Sequence, residues 1–299
     1  MTCGFLVLDK PTGMTSRRAV DRVKRLVKPQ KTGHTGTLDP LASGVLVVAV
    51  GKATSLVARV HAQHKTYRAT FLLGRRSESD DTELEVEVLE ETPELDRATI
   101  ESALEAFVGP ISQVPPAYSA VKVGGQRAYR LARAGEEVEL QPRTVEIDSI
   151  RLLDWQSPAL DLEIVCSGGT YIRSIGRDLG QRLCGGGVMS ALVRTRVGPF
   201  SIEAAVAPDS LDADSLSRQL VSPLLAVAEL PRQSATAAEL VEIYHGRRVG
   251  WSEPAPADAD PVVLVDAEGR LAALGEFHAG TGEFAPRQVF LDSLPAEDD

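Results

Sequence analysis

A Gly- and Thr-rich stretch, residues 33–44 (GHTGTLDPLASG), runs directly into an unbroken β-branched and apolar run, residues 45–50 (VLVVAV). No feature of the chain constrains its fold more. A short apolar run with no polar alternation reads as a strand buried within a sheet. The stretch before it, residues 31–44, is read as a loop, so a flexible-looking segment is tied to the interior at its far end.

Other elements arrange themselves around this pair. Residues 5–8 predict a short buried strand, stopped by Pro11 and Gly13. Thr15 or Ser16 caps a predicted helix to about residue 28, with Val20, Val23 and Val27 on one face. A short helix is expected over 54–61. Residues 66–73 alternate, placing Tyr67, Ala69, Phe71 and Leu73 on one side of a half-buried strand. A helix over 96–107, a helical turn or two over 127–133, strands over 145–153 and 160–166, and a helix over 171–183 follow. Helices and strands interleave without a βαβ repeat, which predicts an α+β fold with a mixed, mainly antiparallel sheet and flanking helices. Beyond about residue 231 the character changes to short strands and turns, after a low-complexity stretch at 254–261 (PAPADADP). Two domains are expected, 1–230 and a small β-rich one at 231–299. The 299 residues, 43% of them hydrophobic, suffice for that.

A net charge of −10 disguises strong polarity. Residues 10–31 hold eight basic side chains against Asp21 alone. Residues 78–105 hold twelve acids against Arg97, and 253–299 hold eleven against Arg270 and Arg287. A basic N-terminal face can meet phosphates while the acidic parts face away. No apolar run is long enough for a membrane span, and the N-terminus lacks the plan of a secretory signal. Cys3, Cys166 and Cys184 offer neither a metal pair nor a disulfide framework, which suits a reducing cytoplasm.

Four strings carry candidate chemistry. Residues 33–44 place one carboxylate, Asp39, among small residues and directly before Pro40. Small residues let a ligand approach, and proline fixes the turn. An Asp-Pro pair also begins ordinary turns, and no phosphate-loop spacing is present. Residues 168–174 (GGTYIRS) open a helix after a strand and put Arg173 where it can pair with a carboxylate such as Asp39. Residues 65–68 (KTYR) turn Tyr67 inward, and residues 115–122 (PPAYSAVK) form a stiff loop.

Together with residues 4–16 (GFLVLDKPTGMTS), these strings closely resemble the TruB-type bacterial tRNA pseudouridine-55 synthases. The similarity is strong over residues 4 to about 205 and weaker in the tail. It implies the pseudouridine synthase fold with a small PUA-like RNA-binding domain at the C-terminus. It implies an isomerase that breaks the uridine N1–C1′ bond, turns the flipped-out base and rejoins it through C5, with neither cofactor nor metal. Asp39 is then the catalytic carboxylate and Arg173 its holder. Tyr67 stacks on the flipped base and helps remove the C5 proton. His34 braces the vacated space, Tyr171 and Leu192 line the pocket, and Lys10 and Pro11 support the catalytic loop. The partner implied is the T-loop of tRNA, met by a cytoplasmic monomer without guide RNA. Residues 75–88 depart from the family pattern, with Ser-Glu-Ser at 77–79 where a Thr-Asp-Thr is usual, and no chemistry is assigned there. Competing expectations are a non-catalytic tRNA-binding chaperone, a guide-dependent synthase of the dyskerin kind, and a carbohydrate hydrolase. The last would want two carboxylates, and Asp178, near Arg173, is expected on the surface.

Overall fold

The computed structural model describes residues 3–252 and 261–293, so all of the 254–261 stretch but Pro261 lies outside the described residues. A nine-stranded mixed sheet forms the larger part. Along it run Gly4–Lys10, Ser43–Val50, Gly187–Val197, Lys65–Leu73, Ala159–Cys166, Arg143–Gln156 and Gly109–Gln113. These neighbours are antiparallel except Ser43–Val50 with Gly187–Val197.

Strand Ser43–Val50 is buried from Gly44 onward, as its unbroken apolar run requires. Its alternate residues feed two cores. Leu46, Val48 and Val50 meet Val20, Val23 and Val27 of the N-terminal helix region. Val45, Val47 and Ala49 meet Ala53, Leu56 and part of the C-terminal sheet. The helix is Ser16–Leu26, with the Thr15 side chain accepting a hydrogen bond from the Arg18 N–H.

Residues 31–44 are not all loop. Thr32–His34 form a short strand paired with Val48–Val50. The neighbouring strand Gly187–Val197 meets only Ser43 and Gly44 on that edge. The polar backbone farther along would be buried without partners, and Thr32–His34 supplies them. The helix expected over 54–61 divides into a 3₁₀ segment, Gly51–Leu56, and an α-helix, Val57–Ala62. The central strand Gly187–Val197 and the edge strand Gly109–Gln113 complete the sheet without having been predicted.

Helix Ile172–Cys184 packs over the sheet and ends on Gly185, whose φ of +83° is the left-handed conformation a helix stop favours in glycine. Beyond it, Arg232–Ser234, Val262–Val265, Leu271–His278, Glu283–Val289 and Val249–Gly250 form a separate five-stranded sheet. That sheet has its own core around Ile243, Val262, Leu264 and Phe284. Its other face supplies Val263, Val265, Leu271 and Leu274 to the core behind Ser43–Val50.

Candidate active site

Asp39 lies in a turn fixed from several sides. The Ser16 hydroxyl accepts from the Leu38 N–H and donates to the Leu38 carbonyl, each at 2.9 Å. The Gly13 N–H donates to the Pro40 carbonyl at 2.8 Å, and the Ala42 N–H to that of Asp39 at 3.1 Å. Glu83 accepts from the Leu41 N–H at 2.9 Å. Burial, then the nearby Asp81 and Asp39 charges, raise the Glu83 carboxyl above its ordinary pKa, while the Leu41 bond opposes them. Lys10 is fully buried, and its ammonium donates to the Pro11 and Met14 carbonyls at 3.0 and 2.7 Å. Burial lowers its pKa to about 8, against the pull of Asp39. Lys10 therefore sits beneath the turn and contributes nothing to the basic outer face expected of residues 10–31.

The Asp39 carboxylate is 38% exposed and its Oδ2 lies 3.0 Å from Arg173 Nη2. Arg173 itself is only 5% exposed. It reaches Asp81, 1% exposed, at 3.3 Å, and donates to the carbonyls of Ser79 and Tyr118 at 2.9 and 3.0 Å. Asp81 in turn accepts from the Ser79 hydroxyl at 2.5 Å and the Glu83 N–H at 3.0 Å. The guanidinium thus joins one buried and one open carboxylate. Asp81 comes from residues 75–88, to which the sequence assigned no chemistry, and its run of acids gave no sign that it would be buried against Arg173. Asp178 is a partly exposed partner of Arg177, 2.8 Å away, as its helix position suggested.

The Asp81–Arg173 pair should hold up the fold as well as the site. Removing Asp81 leaves Arg173 with only the half-open Asp39 as counter-ion and leaves the Glu83 N–H without its acceptor, at about 1–3 kcal/mol for buried polar groups that lose a partner. Asp81→Ala is expected to lose stability on that scale in urea unfolding. A loss below about 1 kcal/mol would show that water reaches Arg173 and relieves it.

Tyr67 is inward on its strand, as its alternation predicted, and only 6% exposed. Its cross-strand partner is Arg194, and that of Ala69 is Leu192. Tyr67, Leu192, Ile172 and the loop residues Leu38 and Ala42 share one apolar cluster. The Tyr67 hydroxyl is pushed up by burial and drawn down chiefly by the Arg194 cation. His34 is half-buried on its short strand, and burial, then Arg194, lower its imidazole pKa. Tyr171 caps the Arg173 helix. Gln113 clamps its backbone, accepting from its N–H at 2.8 Å and donating to its carbonyl at 3.1 Å. The Arg143 guanidinium lies 4.4 Å from the Tyr171 ring centroid. Arg173 therefore meets the turn directly, Lys10 lies near enough to feel the Asp39 charge, and Tyr67 and Leu192 share an apolar core with Leu38 and Ala42, while Asp81, Gln113, Arg143 and Arg194 join this neighbourhood unannounced. For Arg194 a weak signal existed, a cation two residues beyond Leu192, but Arg196 follows it at the same spacing and its strand was not predicted.

An antiparallel-rich sheet with a loop carboxylate held by a buried arginine defines a pseudouridine synthase fold. The structure described as that of an H/ACA RNP bound to a substrate RNA containing 2′-deoxyuridine matches with TM-score 0.71 and 24% identity, covering 96% of this chain and 85% of that one. A Cbf5–Nop10–Gar1 complex matches with TM-score 0.70 and 25% identity, over 97% and 85%. The model of the TruB family pseudouridylate synthases (N-terminal domain) matches residues 24–172. The tRNA pseudouridine synthase B of Thermobifida fusca is 42% identical over 303 residues, covering 98% of this chain and all of its own. That of Microcystis aeruginosa is 37% identical, over 94% and 96%. The chain belongs to the TruB family of pseudouridylate synthases.

Proposed function

We propose that this chain converts uridine to pseudouridine at position 55 in the T-loop of tRNA, alone and without guide RNA. The observation that carries the proposal is the half-open Asp39 carboxylate set 3.0 Å from a buried Arg173. Relatives of nearly the same length that bear the name tRNA pseudouridine synthase B support the tRNA substrate. Residues 1–230 are the catalytic part and 231–299 a PUA-like part that contacts RNA. The enzyme works as a monomer in the cytoplasm.

The target base leaves its stack at a cost of roughly a few kcal/mol. Asp39 is the group for C1′ or the base as the N1–C1′ bond breaks, and Arg173 keeps its oxygens aimed. Tyr67 carries the base on its ring, between Leu192 and the Tyr171 side, while His34 braces the space left behind. After C5 bonds to C1′, the C5 proton leaves. Its electron pair becomes the C5=C6 bond, and the N1=C6 pair settles on N1, which takes a proton. The sum is an isomerisation with no electron gained or lost. Purified protein incubated with unmodified tRNA should give pseudouridine at position 55 alone. No product from several intact tRNAs would overturn the reading, and product only with an added guide would overturn stand-alone action.

RNA affinity should fall with salt despite the acidic composition, because each neutralised phosphate releases counterions. On the N-terminal helix, Arg17 and Arg22 are already paired, with Asp21 and Asp209 at 2.8 and 2.6 Å. Arg18, Lys24 and Lys28 are exposed. Reversing Arg18 and Lys24 to Glu should weaken binding and flatten the logarithmic salt slope by roughly 1–2. An unchanged slope would put the RNA on another face.

A further inference from the structure

Arg194 is the largest fully buried side chain of the protein, at 2% exposure. Its Nε donates to the Val45 carbonyl at 2.7 Å, Nη2 to that of Gly36 at 3.2 Å and Nη1 to that of Thr37 at 3.5 Å. One guanidinium therefore spans the front of the Asp39 turn and the start of the strand behind it. Its backbone is wedged equally tightly. Arg194 is the register partner of Gly44 on one side and of Tyr67 on the other. A Cβ on Gly44 would stand 2.3 Å from the Arg194 carbonyl oxygen, and Gly44 has φ +96°.

The three acceptors are neutral backbone carbonyls, so none of them balances the charge. A buried full charge costs far more solvation than it recovers from carbonyls alone, and no described carboxylate lies within ion-pair distance of this one. The charge must have another use close by. The charges that act on the Tyr67 hydroxyl are that of Arg194, its register partner on one neighbouring strand, which favours the ionised form, and those of Cys166 on the other neighbouring strand and Asp39 in the turn, which oppose it. Arg194 is the cation among them.

The geometry points to Arg194 as a positioning residue for both halves of the reaction, pinning the Asp39 turn through its carbonyls and fixing and polarising the oxygen of Tyr67. This rests on the proposed isomerase function. To take the C5 proton the Tyr67 oxygen must give up its own, as a phenolate formed beforehand or by relay to solvent, and a fixed adjacent guanidinium stabilises the negative charge this leaves on oxygen.

The test compares wild type, Arg194→Gln and Arg194→Lys on tRNA by single-turnover product formation across pH, tRNA affinity, and NMR of ¹³Cζ-labelled tyrosine assigned with Tyr67→Phe. Arg194→Gln should keep affinity within threefold, lose at least a hundredfold in rate, shift the rate profile toward higher pH and move the Tyr67 resonance. Arg194→Lys should restore part of the resonance but little of the rate, since an ammonium cannot span the three carbonyls. A rate within threefold of wild type in Arg194→Gln, or an unmoved Tyr67 resonance, overturns the inference. If wild type makes no pseudouridine while the resonance still follows Arg194, the proposed function falls and the pairing of Arg194 with Tyr67 stands. Should both variants fail to fold, Tyr67→Phe in the otherwise native chain decides. It should shift one slowly exchanging arginine Nε–H resonance, and no shift overturns the inference.

Discussion

Asp39→Ala should form no detectable pseudouridine while the protein stays folded and still binds tRNA. The geometry separates these outcomes. Asp39 is the more exposed of the two carboxylates on Arg173. When it is removed, Asp81 and two backbone carbonyls still satisfy the guanidinium, so the cost to the fold is small. The turn keeps its ties through Leu38, Pro40 and Leu41. RNA affinity rests on phosphates and loop shape, which the substitution leaves alone. The rate should drop by at least about 10⁴-fold, the scale seen when a principal catalytic group is deleted. Asp39→Asn should behave alike, since the amide keeps shape and loses charge. Single-turnover product formation, filter binding and urea unfolding measure the three quantities. Turnover near wild type in the alanine variant would rule out Asp39 as the catalytic group.

Tyr67→Phe should bind tRNA normally and turn over severely slowly, whereas Tyr67→Leu should also loosen the flipped base. Phenylalanine keeps the π face, and stacking is worth about 1–3 kcal/mol per base. It loses only the hydroxyl that would take or relay the C5 proton. Release of tritium from C5-labelled uridine reports that step directly. Equal release by the phenylalanine variant and wild type would leave Tyr67 a stacking platform only.

Much of this arrangement can be read from the amino-acid order, for physical reasons. Periodicity placed Tyr67 inward because a half-buried strand has two faces. The run at 45–50 announced a strand covered on both sides. What escaped depended on pairing between distant segments. Thr32–His34 has no strand signature of its own and exists because Val48–Val50 leaves an edge to fill. Asp81 lies amid acids that solvate the surface, and only the fold turns it toward Arg173. Arg194 looks like any strand-end cation until its strand is seen to run between the aspartate turn and Tyr67. The motif strings pick out residues by local sequence alone. They could not find the groups whose value is set by what lies behind them.

The core behind Ser43–Val50 is walled on its far side by Val263, Val265, Leu271 and Leu274 of the smaller sheet and by Phe290 just beyond its Glu283–Val289 strand. The tail is therefore masonry for the catalytic turn before it is anything else. Its acidic rim takes no part in that support. Its inner course of apolar residues does, and the strand it buttresses is the one from which the Asp39 turn springs. A tail swapped in from a stronger RNA binder would have to reproduce that inner course first, whatever it offered to the solvent.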